Sequence, residues 1–260
     1  MKKNPVKNIT NRHELILKKL QQDGRVSIED LIEQMKVSGV TIRKDLKLLE
    51  DKSLLFRTKG GGSINNPYRI EKPIQEKELI SVKEKQLIAK AALSLVGDND
   101  SIIIGSGTTV FELARCLHPP KRITVITPAL KVALELSTRP NVEVLQLGGM
   151  LRPNSSSVAG FFAENILEQI SCGILFLGVD GIDLSFGLSI TNLAETSLDQ
   201  KMMEAAQSIV IMADSTKFGQ RGVGRIGSLE QVQYIITDEE VSPEIVKQLH
   251  EKGVKVIIAK

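Results

Sequence analysis

The sequence predicts an α/β protein in two parts: a small basic helical domain closed by a hairpin, then a larger Rossmann-like domain with a mainly parallel sheet. Three observations point there. Two short amphipathic helices and a cationic hairpin are legible between Val26 and Lys59. Beyond residue 100, short apolar runs alternate with helical patterns, as expected for parallel strands covered on both faces. Charge is also divided: residues 1–72 carry 16 Lys+Arg against 9 Asp+Glu, and the remainder 18 against 22. A front end of net +7 therefore precedes a back end of net −4, as expected if only the front end meets a polyanion.

Composition narrows the class. The 260 residues show no disorder bias, repeat or low-complexity tract. Two cysteines, Cys116 and Cys172, imply reduced structural thiols in a cytosol, and no metal-ligand cluster or cofactor motif is present. The basic start MKKNPVKN is followed by no apolar run, and no stretch approaches membrane-spanning length, so the expectation is a cytoplasmic protein without a membrane partner. Tryptophan is absent and aromatics are 3% of residues, which argues against a base-stacking surface for single strands.

Met1 to Asn11 reads as a tail, and Arg12 to Gln22 as a helix with Leu15, Ile16, Leu17 and Leu20, ended by Asp23-Gly24. Ser27 is placed to N-cap the next helix, whose Ile28, Leu31, Ile32 and Met35 fall at helical spacing. After the turn at Lys36-Val37, Ser38 caps another helix. There Ile42, Leu46 and Leu49 point one way, while Arg43, Lys44 and Lys47 point the other. Such a helix can lie against a phosphate-walled groove with Thr41, in its first turn, reaching a base edge or a phosphate. Leu54-Leu55-Phe56 is a short apolar strand, and Arg57 to Gly62 a flexible cationic tip that includes Lys59. Together these elements suggest a winged helix-turn-helix over residues 1–62. Ser63 to Pro73, with Asn, Pro and Ser but no apolar period, is a linker.

The stretch GRVSIEDLIEQMKVSGVTIRKDLKLLEDKSLLFRTKGG resembles the N-terminal signature of the DeoR family of bacterial sugar-metabolism regulators. The resemblance implies that Thr41, Arg43, Lys44 and Lys47 meet duplex DNA, and Ser38 at the helix start with Arg57 and Lys59 of the cationic wing are expected to join them.

Residues 74–260 form the larger domain. Ile74 to Ser94 reads as helix, stopped by Gly97-Asp98-Asn99-Asp100. Strand-like runs follow at Ser101–Ile104, Ile123–Thr127, Val142–Leu147, Ile174–Val179, Ser208–Ala213, Tyr234–Thr237 and Val254–Ala259. Helical patterns lie near Val110–Leu117, Ala129–Thr138, Phe161–Ile170, Ala194–Gln207 and Pro243–Lys252. Sheets of this kind bind ligands at the carboxyl ends of their strands.

The strongest such end is Gly105-Ser106-Gly107-Thr108-Thr109, where a strand turns into a helix. Helix N-terminal amides bind anions, glycine permits close approach, and hydroxyls add donors. The motif lacks the lysine of a nucleotide P-loop and the third glycine of a dinucleotide fingerprint, and it equally fits a tight structural turn. Gly148-Gly149, Asp180, Glu195 and Lys217 recur at similar strand ends. Asp180 fits a sugar hydroxyl or a turn, Glu195 a ligand or a helix dipole, and Lys217 an anion or solvent.

GSGTT, ITVIT, LQLGGMLR, LFLGVDGID, the helix from Asn192 to Gln207 and ADSTKFG resemble the family's effector domain, whose fold is similar to sugar-phosphate isomerases and coenzyme A transferases. LFLGVDGID and ADSTKFG lean towards its amino-sugar branch. The resemblance implies a phosphorylated sugar effector held by Ser106, Gly107, Thr108, Thr109, Gly148, Gly149, Asp180, Glu195 and Lys217. Gly105 and Pro128 stand where the family commonly has Asp and Asn.

The expectation is a non-enzymatic, sugar-responsive repressor that binds an operator as a homo-oligomer. Two other readings exist: a sugar-phosphate isomerase or transferase with a DNA-binding appendage, and a ligand-insensitive DNA-binding protein. General acid/base turnover needs a positioned titratable pair. His13, His118 and His250, the complete histidine set, fall in no strand-end motif.

Overall fold

The computed structural model describes residues 9–51, 54–58, 60–63, 71–97 and 101–260. Two compact units divide the chain, Met1–Ile70 and Glu71–Lys260.

The first unit contains α1 (Ile9–Asp23), β1 (Arg25–Ser27), α2 (Ile28–Met35), α3 (Gly39–Asp51), β2 (Phe56–Thr58) and β3 (Gly61–Ser63). Helical spacing brings Ile16 and Leu20 of α1, Leu31 and Met35 of α2, and Ile42, Leu46 and Leu49 of α3 into one core with Val26 and Leu55. Local chemistry sets the boundaries. The Ser27 hydroxyl accepts the Asp30 amide at 3.0 Å and starts α2. Lys36, left-handed at φ 54°, ends it. The Ser38 hydroxyl then accepts the Thr41 amide at 3.2 Å and starts α3.

The hairpin differs from the sequence expectation. Its first strand begins at Phe56, because Leu55 is drawn into the core and Leu54 faces solvent. Gly61 and Gly62 are strand residues rather than a flexible tip: β3 lies between β1 and β2, antiparallel to both. Glycine is required at 61 because a Cβ would stand 1.8 Å from the Val26 carbonyl oxygen across the β1–β3 pair. Ser63, expected to open the linker, closes β3, and Ile9–Asn11, expected in the tail, begin α1. Lys59 lies outside the described residues, as do residues 1–8 and 64–70.

In the second unit come α4 (Ile74–Glu78), α5 (Val82–Val96), β4 (Ser101–Ile104), α6 (Thr108–Cys116), β5 (Ile123–Thr127), α7 (Leu130–Leu136) and β6 (Val142–Gln146). Next are β7 (Met150–Arg152), β8 (Ser157–Ala159), α8 (Phe161–Leu167), β9 (Cys172–Gly178), β10 (Gly181–Asp183), β11 (Gly187–Ile190) and α9 (Leu193–Ala205). The chain finishes with β12 (Ala206–Met212), β13 (Gly224–Gly227), β14 (Tyr234–Thr237), α10 (Pro243–Glu251) and β15 (Lys255–Ile258).

Seven of these strands form one sheet in the order β15-β14-β12-β9-β4-β5-β6, parallel throughout. Alternating side chains supply two cores. Ile103, Leu175, Leu177, Ile209 and Ile211 pack beneath α8, α9 and α10; Ile102, Ile104, Phe176, Val210 and Met212 pack beneath α5, α6 and α7. Burial on both faces is why the central strands β4 and β9 read as nearly continuous apolar runs. From β4 the chain winds outward to β6, and from β9 it winds the other way to β15. The order therefore reverses between β4 and β9, the position at which open α/β sheets leave a ligand crevice.

Ile74 to Ser94 is not one helix. It breaks at Leu79–Ser81, with Ser81 at φ 49°, because the buried Lys85 ammonium donates to the carbonyls of Lys77 and Ile80, each at 2.6 Å, and so caps α4. Two small antiparallel sheets, β7-β8 and β10-β11-β13, also lie outside the strand-helix repeat. Among the described residues no helix is long and apolar enough to cross a membrane, and no group of three or more His, Cys, Asp or Glu is placed to hold a metal.

Candidate DNA-binding surface and ligand-sensing site

On α3 the residues that pack and the residues that project are cleanly separated. Arg43, Lys44 and Lys47 are exposed, and Ile42, Leu46 and Leu49 are sealed beneath them. Two features at the start of α3 restrict Thr41: its amide is taken by Ser38, and its hydroxyl lies 2.9 Å from the Ser38 hydroxyl. Ser38 and Thr41 thus form a fixed polar pair at the helix N-terminus, where recognition helices present side chains to base edges. Arg57, exposed on β2, is steadied by Glu50, whose carboxylate accepts the Arg57 amide at 2.9 Å and lies 3.8 Å from its guanidinium. Arg12, at the spacing of Ile16 and Leu20, and Asp45, at the spacing of Ile42 and Leu49, are buried against each other at 2.7 Å. They lock α1 to the back of α3 and keep its outer face presented.

In the larger unit three adjacent strand ends converge. Ser106 and Gly107 follow β4, Asp180 follows β9, and Asp214 to Lys217 follow β12. The first two loops are in contact: a Cβ on Gly178 would sit 3.4 Å from the Ser106 carbonyl oxygen. Gly107 has φ 120°, a conformation that disfavours side chains, and space is open where its Cβ would be. It starts α6 without a side-chain cap, so the first-turn amides of Thr108 and Thr109 carry the partial positive charge of a helix end. Gly105 is packed more closely, since a Cβ there would stand 2.6 Å from the Leu177 side chain. Pro128 ties its loop to β8 by accepting the Val158 amide at 2.9 Å.

Asp180 anchors the centre. One carboxylate oxygen pairs with the Lys77 ammonium at 3.1 Å, and the other accepts the Thr191 amide and hydroxyl at 2.9 and 2.7 Å. Burial works to raise its pKa, but the Lys77 charge and the Thr191 donors outweigh burial and hold it down at about 2. Lys217 lies 3.7 Å from the buried Asp214 carboxylate. Burial pushes the Lys85 ammonium below the ordinary lysine value; Asp214 opposes that, while Lys217 and Lys77 add to it. Lys77, Lys85 and Lys217 therefore form one positive neighbourhood beside the strand ends.

Glu195, in the first turn of α9, sits in a second cluster. Its Oε1 accepts the Ser157 hydroxyl at 2.9 Å and the Ser155 hydroxyl at 2.5 Å, and it lies 2.9 Å from Arg152 Nη1. Arg152 also donates to Glu71 at 2.8 Å, and Asn192, the N-cap of α9, donates to Glu71 at 2.7 Å. The buried Asp199 links the clusters electrostatically. Burial, then the charges of Glu195 and Asp180, push its carboxyl well above the usual range. Gly148 and Gly149 follow the edge strand β6, two strands from β4, and Gly149 packs against the Ala159 carbonyl of β8.

Sequence reasoning did not single out Lys77, Lys85, Arg152, Thr191 or Asp199. For two of these a signal was available. Lys85 shares the helical spacing of Ile88, Ala89 and Ala92, and Asp199 that of Leu198, Met202 and Met203, so both sit on buried faces.

A three-helix unit with a wing and an exposed cationic helix, joined in one chain to a doubly wound sheet with a polar crevice, defines a ligand-sensing DNA-binding regulator. The DeoR-like helix-turn-helix domain matches residues 12–67, and the DeoR C terminal sensor domain matches residues 80–239. The chain belongs to the DeoR family of transcriptional regulators. It is 35% identical to a candidate aga operon transcriptional repressor of Escherichia coli O157:H7, over 97% of this chain and 95% of that one. It is 35% identical to the HTH-type transcriptional regulator YulB of Bacillus subtilis, itself uncharacterized, over 95% and 96%. Identity to the lactose phosphotransferase system repressor of Lactococcus lactis is 33%, over 91% and 94%. Among solved structures, ribose 5 phosphate isomerase A from Neisseria gonorrhoeae aligns with a TM-score of 0.38 and 18% identity over 52% of each chain.

Proposed function

We propose that this protein represses sugar-catabolism genes and that a phosphorylated sugar in the β4/β9 crevice changes its affinity for its operator. The observation that carries the reading is the convergence, at three adjacent strand ends, of an uncapped helix start at Gly107 after β4, Asp180 after β9 with Lys77 of α4 held on it at 3.1 Å, and Lys217 after β12. The helix end and Lys217 suit a phosphate, and Asp180 suits sugar hydroxyls. The three relatives above are named as repressors or regulators, two of them of sugar systems, which supports the same assignment. In this reading Ser106, Gly107, Thr108, Thr109 and Lys217 hold the anion. Glu195 and Gly148-Gly149 shape the wall formed by β7 and β8.

On the DNA side, Ser38, Thr41, Arg43, Lys44, Lys47, Arg57 and Lys59 form the contact surface, with α3 in the major groove. The working form is a cytoplasmic homo-oligomer that presents paired recognition helices to a repeated operator. Phe161 and Phe162 of α8, with Met150 and Leu151 of β7, are exposed apolar side chains available for such assembly.

The test is a pair of substitutions, Thr108→Val and Lys217→Ala, read by operator binding with and without hexose 6-phosphates. Both variants should bind operator as the parent does and respond to ligand at least about tenfold more weakly, since each removes a charged or polar contact to the anion. Parent-like response in both would reject the crevice as the sensing site.

A further inference from the structure

Asp180, assigned to the sugar, and Glu195, placed in the adjoining wall, are already occupied, and what occupies them leads to one short segment. Lys77 of α4 holds Asp180 at 3.1 Å. Arg152, which pairs with Glu195 at 2.9 Å, also holds Glu71 at 2.8 Å, and Asn192 at the head of α9 holds Glu71 at 2.7 Å. Between these points the Ile74 amide donates to the Asn154 carbonyl at 2.7 Å. The far end is closed by Lys85, whose ammonium takes the carbonyls of Lys77 in α4 and of Ile80 just beyond it, and shares the electrostatic neighbourhood of Asp214 and Lys217. Glu71 to Ile80 is thus fastened at Lys77 directly through a carboxylate a ligand would engage, and at Glu71 through the arginine that holds Glu195. It is also the stretch that continues the chain directly from residues 64–70, which follow the wing in sequence.

α4 has five residues, too few to be stable by itself, so its conformation depends on these side-chain attachments. A sugar phosphate entering the crevice offers hydroxyls that compete for Asp180 and an anion that competes for Lys77. Both halves of the pair then gain a partner in the ligand, and neither is left buried and unpaired.

We propose that ligand binding exchanges the Lys77–Asp180 pair, Lys77 turning to the phosphate and Asp180 to the sugar, and that this exchange releases Glu71–Ile80 and so transmits occupancy to the DNA-binding end of the chain. The inference rests on the crevice reading above. Lys77 is on this account both a ligand contact and the coupling element. Because a ligand shifts a conformational balance only through differential affinity, breaking the pair without ligand must imitate part of its effect.

The experiment is hydrogen exchange on the full chain, parent and Lys77→Gln, alone and with glucose 6-phosphate, glucosamine 6-phosphate or inorganic phosphate, paired with operator-binding anisotropy. In the parent a bound sugar phosphate should slow exchange across Ser106–Glu112 and speed it at Ile74, Lys77 and Ile80 by about tenfold. In Lys77→Gln the Ile74–Ile80 amides should exchange about tenfold faster before ligand is added, with no further increase on addition. Its operator affinity without ligand should move from that of the free parent towards that of the liganded parent. Slowed exchange at Ser106–Glu112 with Ile74–Ile80 unmoved would overturn the latch and leave the crevice reading standing. So would Lys77→Gln with parent-like segment exchange and parent-like response. Failure of every probe to affect Ser106–Glu112 would overturn the crevice reading and, with it, the latch. Asp180→Asn provides the conservative control, and unchanged Ile74–Ile80 exchange in that variant as well as in Lys77→Gln would also reject the proposal.

Discussion

Arg12 and Asp45 face each other across the α1–α3 contact in a two-pronged ion pair, Nε to Oδ2 at 2.7 Å and Nη2 to Oδ1 at 2.9 Å, with both side chains almost fully buried. The pair fixes α3 from behind, on the side away from Arg43, Lys44 and Lys47. Removing Asp45 takes both ion-pair contacts from a buried guanidinium. Asp45→Ala should lower the stability of the N-terminal unit by about 3–5 kcal/mol. Replacing both partners together, as Arg12→Met with Asp45→Leu, should recover most of that loss. Urea unfolding of the three chains checks the order; a double variant no better than Asp45→Ala would show that the pair is needed for more than charge balance.

Gly61 sets the wing. Its absent side chain allows β3 to approach Val26, and a methyl group at 1.8 Å from a backbone carbonyl cannot be relieved by a rotamer change. Gly61→Ala should therefore cost about 1–3 kcal/mol and weaken operator binding along with it, because the hairpin that carries Arg57 must shift. Denaturant unfolding and anisotropy on the same preparation would show both losses. Full stability with parent affinity would mean that β3 can slide away without consequence.

In the proposed reading the exposed cations on α3 act through phosphate. Arg43→Ala or Lys44→Ala should weaken operator binding and reduce the slope of log affinity against log salt by about 1, the counterion released per phosphate contact. Affinity measured at several salt concentrations tests this. An unchanged slope would remove the residue from the interface.

Two buried carboxylates give opposite pH signatures. Asp180 has a folded pKa of about 2 against an ordinary 3.8, so its contribution is present above the unfolded value and is lost as pH falls from about 4 through about 2. That contribution is about 2 kcal/mol at neutral pH. Asp180→Asn should flatten the acid limb of the stability curve in that window. A limb of unchanged steepness would separate Asp180 from acid unfolding.

Asp199 has the reverse sign. Its folded pKa is raised by burial and by Glu195 and Asp180, so the folded state favours the protonated acid and loses stability as pH rises above the unfolded value. Asp199→Asn removes that penalty with the shape kept, and should raise the neutral-pH melting temperature. A lower melting temperature would show that the acid proton makes a bond that an amide cannot.

Much of this architecture could be read from the residues because burial on both faces leaves parallel strands as plain apolar runs. Each of the seven runs from Ser101 to Ala259 corresponds to a strand of the main sheet. The helix starts at Ser27 and Ser38 were equally legible, since a hydroxyl cap is a local matter. What escaped depends on distance in sequence. The break at Leu79–Ser81 is made by Lys85 reaching back to α4, and β7 and β8, three residues each, show no apolar alternation: β7 exposes Met150 and Leu151 while β8 is buried throughout. Glycine-rich Gly60–Gly62 reads as a loose tip until β1 is seen pressing against it. In the crevice, GSGTT, Asp180 and Lys217 announce themselves by position at strand ends. Lys77 and Arg152, by contrast, read as ordinary surface charges until Asp180 and Glu195 are placed beside them.

The division of labour between a DNA-gripping front and a metabolite-sensing back is tested most directly by fluorescence anisotropy. Labelled duplexes from the region upstream of this gene and its neighbours would be titrated with the protein, then with hexose 6-phosphates and their amino-sugar forms. The account predicts tight, salt-sensitive binding to a specific fragment, shifted by at least one sugar phosphate in the parent and not in Lys217→Ala. Equal affinity for every fragment, unmoved by any of the ligands, would contradict it.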